Sequence, residues 1–290
     1  MISIVIISKD EPSLDGTLEA VTSQARSLGE AFEIVVVDAS AKRLDWIRQR
    51  HEPGVRWIDF QRPPGVRVSI PHQRNAGVRA ARGDIVVFTD AGCAPEAEWL
   101  ARLTAPLAEG EDAAAGIALG THGAGPYRLA VRQASTVKYL DECSTINLAF
   151  RREAFDAVGG FDETFAYGSD VDFSWRLIAA GYQIRSAPAA IVRHDWGTRR
   201  RQLRRSYLYG KARTRLYRKH RPGLAHILRT DPIVVVYPVF ILGLPLTAVF
   251  PLYPALLLIP AWRNRSDGVV SVLIDHLVFG AGVLKEFIAR

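Results

Sequence analysis

An α/β class with a largely parallel central sheet and helices on both faces follows from three observations on the first two hundred residues. Strand-length runs rich in Val, Ile and Phe recur, amphipathic stretches separate them, and polar or Gly/Pro residues punctuate the joins. Met1 to Ser8 is apolar but lacks a basic leader and a small-residue cleavage site, so Ile2 to Ile7 reads as the first strand. Leu14 to Ser27 then reads as a helix, Phe32 to Val37 as a strand and Leu44 to Gln49 as a helix. Val55 to Phe60 follows as a strand, Pro71 to Ala81 as a helix closed near Gly83, and Ile85 to Thr89 as a strand. At 290 residues and 48% apolar content the chain can bury one good core and carry a second small module.

In an open parallel sheet the ligand lies beyond the carboxyl ends of the strands. Ser8-Lys-Asp-Glu-Pro12 follows the first strand, Asp38-Ala-Ser40 the second and Asp90-Ala-Gly-Cys93 the fourth. Acids at three neighbouring strand ends must be solvated or find a donor or a cation, which points to a site for a ribose and a metal ion. The turn after the first strand has no glycine before Gly16. It therefore carries neither the dinucleotide fingerprint nor a P-loop, and no cradle for a triphosphate. Cys93 and Cys143 stand too far apart for a disulfide framework or a zinc spacing, and read as packed thiols of a reducing compartment.

The net charge of +7 is segregated. Twelve Lys or Arg lie between Arg193 and Arg221, opposed there only by Asp195, and the remainder of the chain is slightly acidic. From Pro232 to Trp262 no residue carries a formal charge, and Pro232, Pro238, Pro245, Pro251, Pro254 and Pro260 interrupt the stretch. A kinked span or a re-entrant hairpin fits this composition better than one straight helix. Val269 to Leu284 then repeats at amphipathic helical spacing, with Asp275 inside it. A basic block beside such a tail suits an anionic membrane surface, and no aromatic-interleaved platform speaks for nucleic acid. The alternative for the same apolar residues is a soluble subdomain or a dimer interface.

Several segments together resemble family 2 glycosyltransferases of the GT-A fold over roughly residues 1 to 220. They are Ser3 to Glu11, Ile34 to Asp38, Gln73-Arg-Asn-Ala-Gly77, Ile85 to Asp90, Asn147 to Phe150, Val158 to Asp162, Ser169-Asp-Val-Asp172 and Val192-Arg-His194, with Tyr209 to Tyr217 like members whose basic helix precedes a hydrophobic tail. The resemblance implies transfer of a sugar from a nucleotide diphosphate sugar to an acceptor hydroxyl with inversion. Ser8, Glu11, Asp38, Arg74, Asn75 and Asp90 would hold the donor, and Asp170 would be the base, with Asp172 beside it. Asp90 begins the family's D-x-D motif and His194 matches its distal histidine, so both would ligate a divalent cation, Mg or Mn. Gly92 stands where the second acid belongs, and Ser169 where a glutamate precedes the base. If Gly92 marks a lost metal site, arginines among Arg199, Arg200, Arg201 and Arg204 would substitute for the ion.

The expected organisation is a glycosyltransferase domain over residues 1–220, with a nucleotide-binding half to about 120 and an acceptor half from 121 to 220, followed by a membrane-associated tail over 221–290. The expected location is the cytoplasmic side of the cell membrane, with a lipid-linked or envelope glycan as acceptor and loop 120–127 shaping specificity. A non-catalytic, membrane-bound sugar-nucleotide scaffold is the alternative.

Overall fold

A computed structural model describes residues 1–121, 135–263 and 268–289, so most of loop 120–127 lies outside the described residues. The chain divides into Met1–Trp196 and Gly197–Arg290. The division falls earlier than residue 220, because the basic helix packs within the second unit.

In the first unit, β1 (Ile2–Ser8), β2 (Phe32–Asp38), β3 (Arg56–Asp59) and β4 (Ile85–Asp90) alternate with α1 (Leu14–Leu28), α2 (Asp45–His51) and α3 (Ile70–Ala80). The four strands pair in parallel in the order β3-β2-β1-β4. Successive residues of one strand serve opposite faces: Ile4 and Ile6 enter one apolar cluster and Val5 the other, and Val35 and Val36 divide in the same way. The helix α3 ends at Ala80, and the extended Ala81 stops it rather than Gly83, whose amide donates to Ser3 Oγ at 2.7 Å.

The second half of the sheet is mixed, which refines the largely parallel expectation. β5 (Cys93–Pro95), α4 (Trp99–Ala108), β6 (Ala113–Gly120), β7 (Asn147–Arg151), α5 (Arg152–Ala157), α6 (Ser169–Ala179) and β8 (Ile184–His194) follow in the chain. β7 runs antiparallel to both β4 and β6, and β8 lies parallel to β6 with β5 on its far side. Asn147 pins this region. Its Nδ2 donates to the carbonyls of Ile117 and Ala190, and its Oδ1 accepts from Trp99 Nε1 at 2.9 Å, deep in the core. Buried amides demand such full partnering.

Phe88, Phe150, Phe155, Phe161 and Phe173 form a ring cluster, tightest between Phe161 and Phe173 at 4.5 Å between centroids. Through it α6 and the turn before it are seated on β4 and β7, which fixes the first turn of α6.

The second unit contains α7 (Arg199–His220), α8 (Leu224–Thr230), α9 (Ile233–Leu242), 3-10 turns at Leu244–Ala248 and Tyr253–Leu257, α10 (Leu258–Arg263) and α11 (Val269–Ile288). Among the described residues no single helix is long and apolar enough to cross a membrane. Helices α8 and α9 meet the length and composition only as a pair bent by 98°. Helices α7 and α11 pack through glycine. A β-carbon on Gly210 would overlap the Phe279 carbonyl, and one on Gly282 the Tyr207 carbonyl, so the backbones approach as only glycine allows. Arg199 pairs with Asp275 at 2.7 Å, while Arg215 and Lys211 pair with Glu286 at 2.6 and 3.2 Å.

Candidate active site

The parallel register places the strand-end residues side by side. Ser8 aligns with Asp38, and Ile7 with Asp90, so both acids flank the carboxyl end of β1. Asp38 is buried and its Oδ1 accepts from the Ser40 amide at 3.1 Å and from the Ser40 hydroxyl, which itself accepts from the Asp10 amide at 2.7 Å. Burial pushes the Asp38 carboxyl up, the Ser40 bonds hold it down, and Asp59 and Asp10 push it up further. Ser8 Oγ is buried with no hydrogen-bond partner among the described residues.

Asp90 lies where the charges converge. Burial drives its carboxyl up strongly, Arg74 and then His194 pull it down, and Asp170 pushes it up. These four groups thus come from α3, β4, α6 and β8. His194 is held from two sides, by Cys93 Sγ 3.7 Å from its Nδ1 and by the Trp196 ring, edge-on at 4.9 Å between centroids. Burial lifts the Cys93 and Cys143 thiols to about 12, as inert packed thiols require.

Gly92 has a structural reason. It adopts φ +87°, donates its amide to Thr17 Oγ1 at 3.0 Å, and a β-carbon there would lie 3.3 Å from Ser13 Oγ, 3.8 Å from His194 Cε1 and 3.9 Å from Glu11 Cδ. Its place is therefore a tight left-handed turn, which disfavours a side chain. Glu11, expected with the nucleoside, lies beside Gly92 and Ser13. Its carboxylate accepts from the Ser13 hydroxyl and, at 3.4 Å, from the Ser13 amide. Among the described residues no group of three His, Cys, Asp or Glu is set to hold a metal.

Asp170 sits in the first turn of α6, half-buried, its Oδ1 accepting from the Val171 amide at 3.0 Å. The dipole of that turn favours its ionised form. The Asp172 side chain is wholly buried and accepts from Arg176 Nε at 2.8 Å, which braces the helix beside Asp170.

Asn75, expected with the donor, braces the turn at Phe161. Its Nδ2 donates to the Phe161 carbonyl and to Glu163, and its Oδ1 accepts from the Phe161 amide, each at 2.9 Å. Arg74, one residue earlier, is buried with its guanidinium 5.6 Å from the Phe161 ring centroid. Arg176, which looks like an ordinary helix residue in sequence, was missed. Besides Asp172 it holds the carbonyls of Val158 and Gly160, fixing the Gly-Gly turn under the site. The i, i+4 spacing of Asp172 and Arg176 was its one signal.

The comparisons agree with this geometry. The family model described as "Glycosyl transferase family 2" matches residues 3–162, more than half of the chain, and that of "Glycosyl transferase family group 2" matches 141–262. Pre-mycofactocin glycosyltransferase of Mycobacterium tuberculosis is 34% identical over 181 residues, covering 56% of this chain and 36% of the relative. The chain thus spans about a third of that relative's length. Glycosyltransferase AglE of Haloferax volcanii is 24% identical over 236 residues, covering 78% of this chain and 77% of the relative. Among solved structures, the mannosyltransferase PcManGT of Pyrobaculum calidifontis, in complex with GDP-Man and Mn2+, covers 100% of this chain and is covered to 87%, with TM-score 0.76 and 19% identity. That likeness establishes the GT-A type fold. With the family model, the strand-end acids and the fold in agreement, the chain belongs to glycosyl transferase family 2.

Proposed function

We propose that the chain transfers a sugar from a nucleoside diphosphate donor to an acceptor hydroxyl by a single inverting displacement. The observation that carries this reading is the placing of Asp38 and Asp90 at neighbouring strand ends, with the charges of Arg74, His194 and Asp170 all acting on Asp90. The Asp170 carboxylate takes the acceptor proton as its oxygen bonds to the anomeric carbon. The bond from that carbon to the diphosphate breaks, and the electron pair leaves with the phosphate oxygen. Asp38, with Ser8 beside it, receives the ribose. Asp90 and His194 are the residues that would hold a divalent cation, whose remaining positions water and diphosphate oxygens can fill. When bound, that ion supplies neutralisation of the leaving charge.

The relatives' names point to lipid-linked or envelope acceptors. One is an undecaprenyl-phosphate 4-deoxy-4-formamido-L-arabinose transferase, 34% identical over 118 residues. A surface feature supports attachment of the second unit to the cytoplasmic face of a membrane. Val249, Leu252, Leu258, Ile259 and Trp262 expose between 68 and 87% of their area in a stretch without formal charge. Direct assay of sugar release from nucleoside diphosphate sugars, with and without an acceptor hydroxyl, tests the activity. Donor binding without turnover under every acceptor would favour the scaffold instead.

A further inference from the structure

Arg74 is a buried cation, 7% exposed, that makes no direct ion pair among the described residues. Among them its one hydrogen bond runs from Nη1 to Ser169 Oγ, 3.1 Å, and its Nε has no partner. Ser169 is itself buried, at the first position of α6 and next to Asp170. Phe161 lies against the guanidinium on another side.

A guanidinium taken out of water without a counter-charge costs several kcal/mol, a deficit that an incoming anion removes. Its planar fork matches phosphoryl oxygens well. A neutral hydroxyl at position 169 orients that fork without cancelling its charge, which a carboxylate there would do.

We propose that Ser169 is a positioning residue that holds Arg74 un-neutralised to receive a phosphoryl oxyanion beside Asp170. The inference rests on the sugar-transfer reading and adds to it a division of labour. Part of the phosphate charge is met by Arg74. The oxyanion belongs either to the donor's diphosphate or to a phosphorylated acceptor.

Calorimetric titration of the full chain separates these sources. Nucleosides, nucleoside diphosphates and a short prenyl phosphate are each titrated with chelator and with Mn2+, for wild type, Ser169→Ala, Ser169→Thr and Ser169→Glu. The expected result is that wild type binds the diphosphate without metal. Ser169→Ala and Ser169→Glu then weaken it about tenfold or more while nucleoside affinity holds, and Ser169→Thr restores it. The same pattern confined to prenyl phosphate assigns the oxyanion to the acceptor. If Ser169→Ala leaves both phosphoryl ligands unchanged, or if wild type binds them only with Mn2+, the inference is overturned and sugar transfer stands. Failure of wild type to bind any nucleotide under either condition overturns both. Should Ser169→Glu not fold, the Ala and Thr variants carry the test alone.

Discussion

Arg176 Nε donates to Asp172 Oδ2 at 2.8 Å, across one turn of α6 and two residues beyond Asp170. The rest of the guanidinium grips the Val158 and Gly160 carbonyls, so a single buried pair ties the catalytic helix to the turn beneath it. Removing one member leaves the other charge stranded. Asp172→Asn should therefore lower unfolding stability by on the order of 3 kcal/mol, measured by urea denaturation. Turnover per folded molecule should change much less than for Asp170; a large loss in well-folded Asp172→Asn would return that residue to the chemistry.

For Asp170→Asn the opposite split is expected. Donor affinity should stay near wild type while kcat falls by about two orders of magnitude or more, because a general base contributes to the transition state and little to ground-state binding. Single-turnover assays beside donor titrations read both quantities. Unchanged kcat would remove Asp170 from the mechanism.

Burial raises the folded-state carboxyls of Asp38 and Asp90. Folding then favours their protonated forms. That contribution is fully present below the ordinary carboxylate value and is lost as the pH rises through the raised values. Asp90→Asn, which cannot ionise, should therefore gain thermal stability over wild type at about pH 7.5 and gain less at about pH 4. Equal differences at the two values would show that Asp90 is not strained by burial. The same variant should lose affinity for nucleoside diphosphate with Mn2+, exchanging function for stability.

Gly92→Ala places a β-carbon at φ +87° and 3.3 Å from Ser13 Oγ. A cost of about 1–2 kcal/mol is expected from the backbone conformation, together with weaker nucleotide binding as the Glu11–Ser13 turn gives way. Thermal melting with and without nucleotide measures both effects, and wild-type values in each would refute the turn's role.

Much of the first unit could be read from the chain because its signals are local. Strand-length apolar runs marked β1, β2 and β4, and acids at strand ends marked Asp38 and Asp90. Asp170 was legible as an acid opening a helix. What stayed hidden depends on partners far away in sequence. Asn75 looks like a polar site residue until Phe161, 86 positions later, is seen to consume its amide. The unit boundary was equally hidden, because Gly210 and Gly282 look like flexible points in sequence and act as contact points between helices. The bond from Ser13 to Glu11 was hidden too, because it depends on a turn that sequence spacing does not specify.

The exposed apolar stretch gives a direct prediction. Replacing Val249, Leu258 and Trp262 together by Ser should reduce sedimentation of the full chain with anionic vesicles severalfold, without altering its melting, since these side chains bury little within the fold. Unchanged vesicle binding would move the attachment elsewhere.

The pairing of α7 with α11 also bears on how such a chain can be altered. Gly210 against Phe279, Arg199 on Asp275 and Arg215 on Glu286 clasp the two ends of an intervening segment of nearly fifty residues. Once a clasp of that kind is closed, the entropy of the enclosed loop changes by only ~0.6 kcal/mol for each doubling of its length. The segment is itself tied to the clasp by Tyr237 on His276 and Asp231 on Arg213, so only changes of length or sequence that keep those contacts carry a small thermodynamic penalty.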